Sequence, residues 1–201
     1  MSRGASPDHP IHELISERWS PYSYSNRPVP RADLLSIFEA ARWAASSFNE
    51  QPWRYIVATR DRTDDFERIL SCLLEGNRSW AKEAAVLVLG CIRQTFSRNN
   101  KPNRVAQHDL GLASASLSLE ATSRGVYVHQ MAGLMPEKAR DVFGIPEGFE
   151  AVTALALGYR AEPGGSDPSL LARDERPRNR RPLDEFVFGG KWGRPGLASD
   201  R

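Results

Sequence analysis

Cysteine is scarce: the 201 residues hold only Cys72 and Cys91. These form no CxxC pair and have no histidine at zinc-ligand spacing, which argues against a disulfide framework or a structural zinc site. Long apolar runs are missing as well, and none approaches the roughly 18–20 residues of a membrane span. The opening MSRGASPDHP lacks the apolar stretch of a secretory leader, so the expected location is the cytoplasm, away from any membrane. Charge of one sign is also lacking, with 27 basic residues against 25 acidic ones for a net +2. That balance argues against a dedicated nucleic-acid binder, which carries a basic face or stripe. All but four of the basic residues are arginine, the better fork for phosphate or carboxylate, so only their placement is informative.

Several catalytic signatures are absent too. No GxGxxG follows a strand, so a Rossmann dinucleotide site is unsupported. GGKW at 189–192 has no Ser or Thr to complete a phosphate-binding P-loop, and neither GxSxG nor HExxH occurs.

The remainder is an ordinary globular composition, 40% hydrophobic and 26% charged, long enough for one compact domain. A short helix is expected within 10–19, followed by the Pro- and Ser-rich SPYSYSNRPVP. Leu34, Leu35, Ile37, Phe38 and Ala41 predict a helix over 31–44. Trp53–Thr59 reads as a buried strand. Phe66, Ile69, Leu70, Leu73 and Leu74 mark a helix with Gly76 near its end. A second strand is expected over 84–92, an exposed loop over 93–103, and a long helix over 104–124 closed by Gly125. The middle of that helix, GLASASLSL, would let another helix approach closely. Strand 127–130, helix 136–144 and strand 151–159 follow. Beyond 160 the chain is broken by Pro and Gly, carries five arginines between 173 and 181, and has one further strand candidate at 182–188. Residues 1–160 therefore read as an α+β domain, and 161–201 as a C-terminal extension of it suited to lie across a neighbouring subunit.

Candidate chemistry is dispersed. His9, His12 and Glu13 could suggest a metal, but Pro10 intervenes near the terminus and no metal site is expected. His108–Asp109 reads as a hydrogen-bonded structural pair. His129 at a strand end is better placed for a ligand. More distinctive are polar segments beside apolar elements: Arg18-Trp19-Ser20, Ser46-Ser47-Phe48-Asn49-Glu50-Gln51-Pro52-Trp53, Gln130-Met131-Ala132-Gly133 and Arg178-Asn179-Arg180-Arg181. Taken singly they read as caps, turns and a solvated arginine run. Their combination of guanidiniums, hydroxyls, amides and exposed backbone N–H suits a phosphate joined to a flat polar heterocycle.

Together these segments resemble the nitroreductase family of flavin mononucleotide (FMN) enzymes, over roughly residues 10 to 192. ERWSPYSYSNRPVP is similar to the family's opening Arg-x-Ser segment, and AARWAASSFNEQPWRYIVA to its Ala-Pro-Ser-Ser-x-Asn-x-Gln-Pro-Trp stretch. HDLGLASASLSLEATSRG resembles its central helix, HQMAGLMPEKARDVFGIPEGFEAVTALALGY the strand, turn, helix and strand that follow, and RNRRPLDEFVFGGKWG one of its endings.

The resemblance implies an α+β fold with a mixed sheet flanked by helices, an intertwined homodimer, and FMN at the interface. It implies hydride taken from NAD(P)H and passed to a small organic acceptor, such as a nitroaromatic or quinone, by a ping-pong mechanism. No catalytic side chain is then required, because the flavin carries the chemistry. Carried over by motif, Arg18 and Ser20, with Trp19 between them, would hold the phosphate and ribityl chain, and Arg178 and Arg180 would meet the phosphate from the tail. Ser46, Ser47 and Asn49 would reach the flavin from the other subunit. Gly133, with Ala132, would offer backbone N–H to its reactive edge, Gln130 and Met131 would join the cofactor site, and Asn77 would lie near the pyrimidine ring. The chain departs from the pattern at Ala45, where the family has Pro; at Tyr22, where Arg is common; and at Ala132, where some members are acidic. A flavin-binding storage or sensing protein is the alternative motivated by Tyr22 and Ala45. A cofactor-free protein whose arginine-rich tail binds an acidic partner is a third reading. Residues 93–103, with Phe96, Arg98, Asn99 and Asn100, are the candidate lid.

Overall fold

The computed structural model describes residues 4–197. Its centre is a four-stranded sheet in the order β1-β2-β4-β3, with β1 Trp53–Thr59, β2 Val86–Arg93, β3 Tyr127–Met131 and β4 Phe149–Gly158. All pairings in this sheet are antiparallel, where the resemblance implied a mixed sheet.

The two central strands read as continuous apolar runs because both of their faces are covered. Along β2, Val86 and Val88 point into one core with Leu155 and Leu157, while Leu87 and Leu89 point into the other with Ala154 and Ala156. The first core is closed by α2 Arg31–Arg42 and α5 Ala106–Ser123. The second is closed by α3 Thr63–Ser71, α4 Glu75–Ala81 and α6 Pro136–Phe143. The result is an α/β/α sandwich. Phe66, Ile69 and Leu70 of α3 are buried, each stabilising the fold by about 1.5–3 kcal/mol.

The predicted elements appear with shifted ends. The first helix, α1, is only Glu13–Glu17, because His12 caps it by accepting the Leu14 N–H at 3.2 Å. The helix expected around Phe66–Leu74 is two: α3 stops at Ser71 and α4 begins at Glu75, so Gly76 lies inside a helix rather than closing one. Between them, Leu73 forms an antiparallel bridge with Leu134.

Residues 93–103 are a tight hairpin-like turn rather than an open loop. Phe96 donates to the Lys101 carbonyl at 2.9 Å, Asn103 donates to that of Gln94 at 2.8 Å, and Asn100 adopts a left-handed φ of 54°.

The extension also differs from expectation. Pro168–Asp174 is a helix, α7, capped by Asp167, whose carboxylate accepts the Ser169 N–H at 2.7 Å. The strand expected over 182–188 is a single turn of 3₁₀-helix at Leu183–Glu185, with one bridge from Phe188 to Pro195. Through Arg178 the extension is tied to its own chain: Asp174 holds Tyr22 and Ser23, and Arg178 donates to the Ser16 and Arg18 carbonyls at 2.8 and 2.9 Å. No helix of the described residues is long and apolar enough to cross a membrane.

Candidate functional site

The segment after α1 runs beside the end of β4, where Ser25 donates to the Tyr159 carbonyl at 2.8 Å and Ala161 to that of Ser23 at 3.3 Å. That course sets Arg18 and Ser20 over α5. The Arg18 guanidinium donates to the Ser20 hydroxyl at 3.2 Å. The tail brings Arg178 and Arg180 to the same place. Burial, and then the charges of Arg178 and Arg180, lower the Arg18 pKa; burial and Arg180 lower that of Arg178. Three like charges are thus gathered in a partly desolvated corner, and an anion placed there relieves both their repulsion and their lost hydration. Among the described residues, Arg18 and Arg180 form no ion pair.

Arg18, Arg178 and Arg180 line an open cleft of about 1410 Å³ between the tail and residues 4–15. Ile15 and Arg18 are shared with a smaller groove of about 360 Å³ that continues past Ser20 and Ser118 to Gln130. Gln130 donates to the Ser118 hydroxyl at 3.2 Å and, more weakly, to the Ser114 carbonyl at 3.4 Å. The corner holding the arginines therefore opens into a channel floored by the small residues of α5. Trp19 packs its ring edge-on against Tyr127 at 5.9 Å, under the guanidinium of Arg160.

Beyond β3, the residues split between core and surface. Met131 turns its side chain into the core, and its carbonyl accepts from Thr153 at 3.0 Å. Ala132 is exposed. The Gly133 carbonyl accepts from Leu74 N–H and from the Asn77 amide, both at 3.0 Å. A Cβ on Gly133 would sit 2.5 Å from the Asn77 Nδ2, so glycine permits this close approach. Asn77 and Gly133, 56 residues apart, thus belong to one cluster.

Ser46, Ser47 and Asn49 lie elsewhere, on the turn before β1. Ser46 accepts the Gln51 N–H at 3.0 Å, Asn49 accepts from the Gln51 amide at 3.0 Å, and the Ser47 N–H donates to buried Asp109 at 3.1 Å. Phe48, Asn49 and Gln51 all have left-handed φ, of 53°, 54° and 49°. For residues with side chains this is uncommon backbone, held here by the turn's own hydrogen bonds. Asp109 serves Ser47 rather than pairing with His108. Along α5, Asp109 lies six residues, about 9 Å, from Ala115, where the lining of the groove begins.

Some expected roles fall away. His129 is half-buried against Trp80 and Tyr22, with ring centroids at 4.4 and 4.7 Å, and its Nδ1 lies 2.8 Å from the Pro21 carbonyl oxygen. Burial, first of all, lowers its pKa. It is a packed residue rather than a ligand. Tyr22 belongs to the same stack, with the Arg173 guanidinium 3.6 Å from its ring centroid. No group of three or more metal-ligating side chains occurs among the described residues, and His12 is a helix cap. Asp109 and Asp174 hold distant segments in place, Ser47 and the Tyr22–Ser23 pair, and periodicity did not reveal either of them.

The profile described as the nitroreductase family matches residues 15–159. The chain belongs to the nitroreductase family. An uncharacterised 15.4 kDa protein of Mycolicibacterium smegmatis is 35% identical over 148 residues, 71% of this chain and 99% of that protein. The NADH dehydrogenase of Thermus thermophilus is 28% identical over 200 residues, 82% of this chain and 88% of its own. Among solved structures, an oxidoreductase containing FMN superposes with a TM-score of 0.87 at 32% identity, covering 96% of this chain and 98% of that one.

Proposed function

We propose that this chain is an NAD(P)H-dependent flavin oxidoreductase that binds FMN and reduces a small organic acceptor. The observation that carries this reading is the convergence of Arg18, Arg178 and Arg180 at the mouth of the groove leading to Gln130. Such a corner suits a phosphate, and a channel floored by small residues suits the chain of a nucleotide. Family membership, the FMN content of the similar solved structure and the NADH dehydrogenase activity named for the Thermus relative support it.

On this reading, Arg18, Arg178 and Arg180 hold the phosphate, and the Ser20 hydroxyl and Gln130 face the chain that follows. The backbone at Ala132–Gly133, braced by Asn77, offers hydrogen-bond donors to the heterocycle. Bound FMN supplies the hydride-accepting and hydride-donating centre between NAD(P)H and the acceptor, the two occupying one space in turn.

We propose further that two copies complete each site. Asp109, which holds Ser47, lies about 9 Å along α5 from Ala115, the first residue of that helix to line the groove, and a second copy supplies Ser46, Ser47 and Asn49 to the groove. α5 leaves Gly111 and Ala115 exposed one turn apart, small enough for a close helix pair, with Leu112 exposed beside them. The C-terminal residues beyond Arg178, with Phe186, Trp192 and Leu197 exposed, suit the same partner.

An anaerobic absorbance spectrum of freshly purified protein, before and after NADH or NADPH, tests the function. Flavin bands that bleach are the expected result. Bands that persist with both donors favour storage or sensing, and a colourless protein that refuses added FMN overturns the cofactor assignment.

A further inference from the structure

We propose that Phe48, Phe96 and Arg98 form a platform that selects the acceptor, and that this acceptor is a planar aromatic molecule carrying an anionic substituent. The proposal rests on the reading above, which sets the Ser46–Asn49 turn against the flavin, and it adds the substrate class.

Phe48 stands between Ser47 and Asn49, 71% exposed, with φ 53° and ψ 25°. A bulky aromatic side chain in left-handed backbone is an outlier that a turn tolerates only when the surroundings hold it. The hydrogen bonds of Ser46, Ser47 and Gln51 provide that hold. Packing is not the reason for an aromatic here, because most of the ring faces water.

The ring is met by the turn after β2. Phe96 approaches edge-on with centroids 5.9 Å apart and planes at 85°. The Arg98 guanidinium lies 3.9 Å from the Phe48 centroid and 5.6 Å from that of Phe96. Glu50 fixes the two turns together, accepting the Ser97 N–H at 2.8 Å and its hydroxyl at 3.0 Å. The nearby carboxylate is thereby engaged with Ser97. Arg98 has no ion-pair partner among the described residues. Arg93 and Lys101, on the same turn, add to the positive field.

Two aromatic faces at a right angle recognise a flat ring by offset and edge contacts. A guanidinium held over one of them recognises carboxylate or sulfonate through its fork of N–H donors. In the reaction, a quinone acceptor takes the hydride and one solvent proton to become the hydroquinone, while NADH becomes NAD+.

The test uses the holoenzyme with two quinones of similar shape, 1,4-naphthoquinone-2-sulfonate and neutral 2-methyl-1,4-naphthoquinone. Wild type is expected to favour the sulfonate in kcat/KM by more than tenfold, of which about tenfold is what one charge-assisted contact allows. Because the sulfonate also withdraws electrons from the ring, the readout is the change in that preference: Arg98→Gln is expected to lower it about tenfold and Arg98→Lys by less, both with flavin content unchanged. Phe48→Gly, which suits the left-handed backbone, is expected to weaken both quinones severalfold without loss of flavin. An equal sulfonate preference in wild type and Arg98→Gln overturns the proposal. So does an effect of Arg98→Gln confined to the KM for NADPH, which would give Arg98 to the pyridine nucleotide instead. A protein without flavin refutes the reading beneath, and is recognised by its spectrum. Tryptophan-quenching titrations with the two quinones then decide the platform, which requires tighter sulfonate binding that Arg98→Gln removes.

Discussion

Asp174 accepts the backbone N–H of Tyr22 at 2.7 Å across 152 residues of sequence, and adds the Ser23 N–H at 3.0 Å and the Ser23 hydroxyl. This one buried carboxylate fastens the C-terminal extension to the segment that carries Arg18 and Ser20. Asp174→Ala strands those donors, at roughly 1–3 kcal/mol for each one left unsatisfied. It is expected to lower the urea midpoint and weaken FMN more than riboflavin, because the arginine corner loses its register. Equal weakening of both flavins would show that Asp174 supports only the fold.

The arginines themselves predict a phosphate-specific loss. Arg18→Ala with Arg180→Ala removes two charge-assisted contacts, each worth about 1.5–3 kcal/mol. The variant is expected to release FMN on gel filtration and to show weakened FMN binding in fluorescence titration, with riboflavin affinity little changed. Flavin content equal to wild type would refute the phosphate role.

Gly133 and Asn77 are expected to be coupled. Gly133→Ala places a methyl group against the Asn77 amide and should cost about 1–3 kcal/mol. In an Asn77→Ala background the same change is expected to cost measurably less, since the obstructing amide is gone. A double-mutant cycle by urea unfolding measures the difference, and strict additivity would contradict the steric account.

His129 predicts an acid slope. Its folded pKa lies below the ordinary 6.5, chiefly through burial; Arg173 and Arg18 press the same way, while the Pro21 hydrogen bond and Asp174 oppose them. Between 6.5 and the depressed folded value, the unfolded chain holds a proton that the folded chain does not. Stability therefore rises with pH across that window and falls as the buffer is acidified through it. His129→Phe, which keeps a ring between Trp80 and Tyr22, is expected to flatten the slope in urea midpoints measured across this range.

The elements legible in the sequence are those whose residues report their own surroundings. WRYIVAT at 53–59 is apolar enough to announce a strand, and GLASASLSL announces a helix pressed closely on its neighbours. The segments that form the groove were legible as polar stretches suited to a phosphate and a heterocycle, and their individual roles only as a family resemblance. Asp174 was not legible at all, because nothing near PSLLARDER records that Tyr22 awaits it. The capping signal of α7 was present in Asp167-Pro168-Ser169, an acceptor followed by a proline in the first turn. PLDEFVF misled because alternation alone cannot supply a neighbouring strand, and Phe186 remains 58% exposed. Tyr22 reads in sequence as a missing phosphate ligand, whereas its ring is absorbed in a stack with Trp80 and His129.

The two half-sites at opposite stations of α5 carry a consequence for mixtures of chains. In the proposed pair, a chain broken at Arg18 and a chain broken at Asn49 are each barren when paired with themselves. Co-expressed, they form mixed pairs in which one pocket inherits both defects and the other inherits neither. Flavin reappearing in such a mixture, from two parents that hold none, is complementation between alleles of a single gene.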